Sequence, residues 1–263
     1  MAKQERPCLI VGNWKMYKTI DQALEFIDQV APIAEKANCR VMLAVPFTAI
    51  QPLAKKVEGT NIVIGAQNMN DAQEGAFTGE VAGIMLKDVG ATFVLIGHSE
   101  RRHIFHEDNT FINRKVLRAL ECGLDPLLCI GETYEEHQEK KTQEVIKEQL
   151  TQGLAGASKD VTKTLMIAYE PVWAIGTGLA ATKTIVDTAM KDIRAILGEM
   201  FTEKSIGNIP LLYGGSVNAN NAKEYLESSE VDGLLVGSAS LATDSFAKII
   251  SFRQNSSKVT SAT

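Results

Sequence analysis

The chain of 263 residues carries 27 lysines and arginines against 32 aspartates and glutamates, a formal net charge of −5, and is 45% hydrophobic. That composition supports a large buried core and excludes a broad basic surface for nucleic acid, since the cationic residues are scattered along the chain. An anion must therefore be held by a locally built site, and the longest apolar run, residues 41–47, is too short to span a bilayer.

Taken in chain order, short runs rich in Val, Ile and Leu at 8–12, 41–45, 62–66, 93–96, 126–130, 165–169, 209–213 and 233–236 read as strands. Amphipathic stretches between them, such as 22–31, 109–121, 134–150, 185–197 and 220–226, read as helices. The strands are apolar at successive positions, the pattern of a parallel sheet covered on both faces. Eight βα units averaging about thirty residues predict an α/β fold of the closed (β/α)8 barrel type. The alternative, an open doubly wound sheet, usually carries a Gly-rich fingerprint after its first strand. Here that strand ends in Gly12-Asn13-Trp14-Lys15, without GxGxxG.

No linker or low-complexity tract interrupts the chain, so 1–253 is expected to be a single catalytic domain and the polar, Ser/Thr-rich 254–263 a disordered tail. Cys8, Cys39, Cys122 and Cys129 form no CxxC pair and are expected as reduced thiols, three of them in or beside strands. The polar segment 1–7 runs straight into a strand and is not expected to direct the chain out of the cytoplasm. The expected location is the cytoplasm.

In such barrels the working residues stand at the C-terminal ends of strands. The first strand delivers Asn13 and Lys15, which an extended backbone would turn to the same side; the ammonium is either an anion-attracting group or an ordinary solvated lysine. The fourth ends in Gly97-His98-Ser99-Glu100-Arg101-Arg102, with His98 just before a helical turn whose N–H groups disfavour an imidazolium. A neutral imidazole can donate to a carbonyl and exchange a proton with it. His103 and His106 follow at a helical spacing, but no third ligand has metal-site spacing and Arg101 and Arg102 would repel a cation, so they are read as solvated helix residues and no metal is expected.

The sixth strand ends in Tyr169-Glu170, and an unusually apolar loop follows, Pro171-Val172-Trp173-Ala174-Ile175-Gly176-Thr177-Gly178. Loops are normally polar. Either this one closes as a lid over Glu170 and excludes water, or it is packed permanently on the barrel with Glu170 paired to a lysine or arginine. The seventh and eighth strands end in Tyr213-Gly214-Gly215-Ser216 and Val236-Gly237-Ser238, two turns expected to open helices and to offer N–H groups to a phosphate. Together, a carboxylate base, a histidine and lysine facing an oxyanion, and a phosphate clamp move a proton next to a carbonyl, with no cofactor.

Several further segments match in order: Gly65-Ala66-Gln67-Asn68, Gly75-Ala76-Phe77-Thr78-Gly79-Glu80 and Cys129-Ile130-Gly131-Glu132. With Val11-Gly12-Asn13-Trp14-Lys15-Met16 and Tyr169-Glu170-Pro171-Val172-Trp173, they make the chain resemble the triosephosphate isomerase family over nearly its whole length. This family is also a standard example of a glutamate base set beside a neutral histidine. The resemblance implies Glu170, His98, Lys15, Asn13 and a supporting Glu100 as active-site residues, with Gly176, Ser216 and Gly237 binding the substrate phosphate. It further implies interconversion of dihydroxyacetone phosphate and D-glyceraldehyde 3-phosphate in glycolysis and gluconeogenesis. A homodimer is implied too, in which loop 68–80 brings Thr78 beside the partner's site. Ser238 stands where the family usually has glycine, so the phosphate turn has to accommodate a side chain, and Tyr17 stands where asparagine is more usual. Rival readings are another phosphosugar barrel isomerase or lyase, disfavoured by the bulky loop 172–175, and a non-enzymatic phosphate-binding barrel, which has no use for a base.

Overall fold

The computed structural model describes residues 7–175 and 180–252. Strands β1 (Leu9–Asn13), β2 (Arg40–Val45), β3 (Ile62–Ala66), β4 (Phe93–Ile96), β5 (Asp125–Ile130), β6 (Met166–Tyr169), β7 (Leu211–Tyr213) and β8 (Gly233–Val236) close into a parallel barrel in chain order, β8 pairing back onto β1. The connections hold α1 (Ile20–Ala34), α2 (Phe47–Lys56), α3 (Gly83–Asp88), α4 (Ser99–His103), α5 (Asn109–Glu121), α6 (Tyr134–Gln138) and α7 (Thr142–Gly153). They continue with α8 (Lys183–Met200), α9 (Glu203–Ile206), α10 (Ala222–Leu226) and α11 (Thr243–Ile250), and with short 3-10 turns at Lys159–Lys163, Val172–Ala174 and Ser238–Ser240. The expected (β/α)8 barrel is the fold.

The two-sided burial read from the strands has a physical counterpart in two separate apolar cores. Leu9, Val11, Met42, Ala44, Phe93, Leu95, Leu127, Cys129, Met166, Ala168, Leu212 and Leu235 fill the inside of the barrel. Their sequence neighbours, Ile10, Leu43, Val94, Leu128, Ile167 and Leu234 among them, pack outward beneath the helices. Because side chains alternate along a strand, the inward set continues by steps of two past the strand ends: Leu9, Val11, then Asn13; Met166, Ala168, then Glu170; Leu235, then Gly237. That parity is what brings polar residues from distant parts of the chain to one mouth.

Two elements differ from the sequence expectation for identifiable reasons. The helix expected over 134–150 is broken into α6 and α7 by Lys140, whose backbone is left-handed (φ 60°). The charged run from Glu135 to Lys141 has no apolar stripe to bury; α6 buries no residue and is held by a capping box between Thr133 and Glu136, whereas α7 is anchored by Ile146 and Leu150. The strand expected over 209–213 begins only at Leu211, because Pro210 has no N–H to donate, and the first amide of β7 is taken by the Asp232 carboxylate at 3.0 Å. Elsewhere boundaries move by a few residues, as in α1, which a capping box at Thr19 extends upstream to Ile20. Cys8, Cys39 and Cys129 are buried and Cys122 half-buried, all as thiols. No helix among the described residues is long and apolar enough to cross a membrane.

The closure seam leaves no room for a side chain at Gly233, where a Cβ would lie 2.1 Å from the Leu9 carbonyl oxygen, a backbone atom fixed by the β1–β8 ladder. Gly233→Ala is therefore expected to cost about 2 kcal/mol or more, read as a lowered urea midpoint at unchanged slope; an unshifted midpoint would show that the seam can give.

Candidate active site

The mouth of the barrel is assembled by strand ends and the loops that follow them. At β1, Lys15 does not continue the strand as expected: its backbone is left-handed (φ 51°). The turn is held from both sides, since the Lys15 N–H donates to Asn13 Oδ1 (3.0 Å) and Gln67 Nε2 donates to the Lys15 carbonyl (2.8 Å) and to that of Ala44 (3.1 Å). Asn13 and Lys15 thus share a side of the mouth through a turn and not through strand periodicity. The Lys15 ammonium is paired with Glu100 Oε1 at 2.6 Å, which fixes its direction over the cavity.

At β4 the even-numbered positions face the helices, so His98 would point out of the barrel. Gly97, at φ 71°, reverses the chain; a Cβ there would lie 3.0 Å from the Arg102 guanidinium and 3.3 Å from the Cys129 carbonyl. His98 becomes the N-cap of α4, its Nδ1 accepting from the Glu100 N–H at 3.3 Å. A ring nitrogen that accepts is unprotonated, so the ring proton sits on Nε2, and Nε2 is 3.2 Å from Glu170 Oε1. His103 ends α4, whereas His106, exposed and left-handed (φ 56°), lies beyond it and is not a helix residue as expected.

Glu170 is only 2% exposed. Its Oε2 accepts from the Ser99 N–H at 3.1 Å, and its backbone N–H donates to the Ile130 carbonyl at 2.7 Å. A buried carboxylate without donors is costly; here the first turn of α4 supplies one, and the half-buried Arg102, itself bonded to the Gly97 and Cys129 carbonyls and to Asn109, places a positive charge behind it. Burial first, and then the neighbouring Glu170 charge, push the Cys129 thiol well above its ordinary range. Among the described residues Glu170 is bonded to no lysine or arginine, so that half of the packed-loop alternative does not hold.

Two adjoining cavities open at this mouth and share Asn13, Lys15 and Glu100. One, about 300 Å³, is lined on the far side by Ile175, Gly215, Ser216, Gly237 and Ser238; the other, about 220 Å³, by Met16, Phe47, Gln67, His98 and Phe105. The turn after β8 opens a 3-10 helix with Gly237 at its N-cap. The turn after β7 does not open a helix as expected: an Asn218–Asn221 turn intervenes before α10. Gly176 lies outside the described residues, as does the rest of 176–179.

The sequence model of the family described as triosephosphate isomerase matches residues 8–253. The chain is 51% identical over 250 residues to the triosephosphate isomerase of Protochlamydia amoebophila, covering 95% of each chain, and 45% identical to that of Fusobacterium nucleatum, covering 93% of this chain and 98% of the relative. The crystal structure of triosephosphate isomerase from Bartonella henselae superposes with a TM-score of 0.87 at 34% identity, over 95% of this chain and all of the other. The chain belongs to the triosephosphate isomerase family. Its reaction is the interconversion of dihydroxyacetone phosphate and D-glyceraldehyde 3-phosphate, a glycolytic isomerisation.

For a triosephosphate isomerase the geometry adds residues that sequence reasoning did not single out. Gln67 follows Val63 and Gly65 on the inward parity of β3, a signal that was available. Ser99 contributes a backbone N–H, which no side-chain identity reveals. Glu132, buried at the end of β5, accepts from Tyr169 Oη and from Trp173 Nε1 at 2.9 Å and thereby secures the start of the 171–175 segment; a carboxylate closing an apolar strand was its signal. Replacing Gln67 by Ala removes its bonds to the Lys15 and Ala44 carbonyls and leaves the turn with the Lys15 N–H to Asn13 Oδ1 bond. The expected result is a roughly tenfold loss of kcat/KM with about 1 kcal/mol of stability lost, and full activity in that variant would show that the turn holds itself.

Proposed function

We propose that Glu170 is the base of this isomerisation, with His98 and Lys15 stabilising the oxyanion and Asn13 and Glu100 holding Lys15 in place. The observation that carries the reading is the convergence, from β4 and β6, of His98 Nε2 and Glu170 Oε1 at 3.2 Å beside a cavity over which Lys15 is turned. The substrate's phosphate would occupy the larger cavity against Ser216, Gly237 and Ser238, with Gly176 completing the clamp. Its carbonyl and hydroxyl oxygens would then face Nε2–H of His98 and the Lys15 ammonium, groups aimed where negative charge develops. Glu170, trading its Ser99 bond for the substrate, takes the proton from one carbon and returns it to the next, while the hydroxyl proton passes from one oxygen to the other by way of His98 Nε2. The pairing of Lys15 with Glu100 keeps the ammonium from swinging into solvent, so positioning costs little at the moment of reaction.

We further propose a homodimer in which loop 68–80 of one subunit enters the smaller cavity of the other, Thr78 reaching its wall. Support comes from large apolar side chains left in water around that cavity and on that loop: Met16 is 94%, Phe105 60% and Phe77 53% exposed. A single catalytic domain over 1–253 with 254–263 as a tail, and a cytoplasmic location in keeping with four reduced cysteines, belong to the same reading.

Proton NMR in deuterated water, with D-glyceraldehyde 3-phosphate and neither metal nor nucleotide added, tests the base. Deuterated dihydroxyacetone phosphate should form with the native chain and not with Glu170→Gln. Glu170→Asp should lose at least about a hundredfold in kcat with little change in KM, because the base is drawn back by one methylene; undiminished turnover in either variant removes Glu170 from its role. Thr78→Arg should shift the sedimentation equilibrium from dimer to monomer and lower activity with it, and a native chain that sediments as a monomer at micromolar concentration would discard the dimer.

A further inference from the structure

Lys18 touches no part of the two cavities that would hold substrate, yet it is tied to the segment that lines one of them. Its Nζ donates to the Leu241 carbonyl at 2.8 Å, joining the loop after β1 to the loop after β8. The ammonium stands 4.7 Å from the centre of the Phe26 ring and 5.3 Å from that of Trp14, a bed of aromatic faces that favours a cation. Its backbone is left-handed (φ 74°), a conformation that L residues keep only where the surroundings hold it.

The other end of the bond is the informative one. Leu241 closes the 3-10 turn Ser238–Ser240, its N–H donating to the Ser238 carbonyl, and a helical turn leaves its last carbonyls without intrahelical donors. Lys18 supplies one. The inner side of the same turn is pinned by the fully buried Ser240, whose hydroxyl donates to the Gly237 carbonyl at 2.7 Å and whose side chain packs on Gly12. Gly237 and Ser238, which line the larger cavity, are thus held between Ser240 beneath and Lys18 at the exit of the turn.

We infer that Lys18 is a positioning residue for phosphate: by clamping the Leu241 carbonyl it fixes the Gly237–Ser238 turn in the shape that receives the substrate's phosphate, without contacting the reacting atoms. The inference rests on the phosphate reading proposed above. It assigns Lys18 to substrate binding and not to proton transfer, and so to the phosphorylated part of the substrate alone.

The test compares the full chain with Lys18→Met, which keeps the apolar stem, and Lys18→Arg, which keeps a donor and a cation. In Lys18→Met the inhibition constant of inorganic phosphate and the KM for D-glyceraldehyde 3-phosphate should each rise about tenfold, with kcat within about twofold and the slow turnover of unphosphorylated D-glyceraldehyde unchanged. Lys18→Arg should restore most of the loss; if Lys18→Met does not fold, Lys18→Gln carries the same comparison. Unaltered phosphate inhibition, or an equal loss with glyceraldehyde, overturns the role of Lys18. Amide NMR of the native chain separates this from the underlying reading: phosphate that leaves the Gly237 and Ser238 amides unmoved overturns the phosphate site itself, and Lys18 with it, whereas moved amides beside an unaffected Lys18→Met overturn Lys18 alone.

Discussion

A strand in a closed barrel is buried on both faces, and its side chains still alternate, so each strand has to satisfy two cores at once with residues one step apart. This constraint organises the rest of the molecule. Where the inward series leaves the packed interior it keeps its direction for another residue or two, and whatever stands there faces the same mouth as its counterparts from every other strand. Asn13 and Glu170 arrive at the mouth in this way, with Gln67 one step past the end of β3. The helices outside need only cover the second core, which is why α1, α5 and α8 show apolar faces set by helix packing and hold none of the proposed catalytic groups.

The turn that delivers His98 against parity is braced by charges taken out of water. His98 reaches the mouth because Gly97 reverses the chain, and the turn that follows is fixed by Arg102 and Arg101. Arg101 Nε donates to Glu107 at 2.7 Å, and Glu107 also accepts from Lys115, a lysine with no exposed surface, at 2.6 Å. Lys115 then donates to Asn68 at 2.8 Å, at the start of the loop that carries Thr78. Burial drives the Lys115 ammonium below its ordinary range, with the Glu107 carboxylate opposing the shift. A buried pair of this kind is a poor source of stability, because desolvation offsets most of the attraction, but it is exacting about geometry. Here it sets the β3 and β4 loops relative to each other, the two loops that meet at the smaller cavity.

Most of this was legible in the sequence at the level of elements and strand ends. Eight apolar runs gave the barrel, and the residues closing the first, fourth and sixth of them are those that meet. What was not legible depends on single backbone angles and on partners far along the chain. A left-handed Lys15 is invisible to periodicity, and it changes why Asn13 and Lys15 share a side. The break at Lys140 follows from a charged run having nothing to bury, which the helical spacing of 134–150 conceals. Ser99 acts through a backbone N–H that every residue but proline possesses. The turn after β7 opens no helix because Asn218 and Asn221 bond to each other's backbone first, an alternative that asparagine offers in competition with helix formation.

The described residues of the apolar segment after Glu170, 171–175, pack against the barrel. Ala174 is buried, and the Val172 N–H donates to the Glu132 carbonyl at 3.0 Å. Glu132 holds both Tyr169 and the Trp173 indole, and His137 stacks on that indole with its ring centroid 4.5 Å away. Burial, and then the Glu132 charge, raise the Tyr169 hydroxyl well above its ordinary range, so it remains a donor to the carboxylate. One buried carboxylate thereby fixes the residue before Glu170 and the third residue after it. The consequence for the proposed base is direct: Glu170 sits in a stretch of backbone pinned on both sides, so a turn of its own side chain is the motion that would carry the carboxylate from Ser99 toward a substrate.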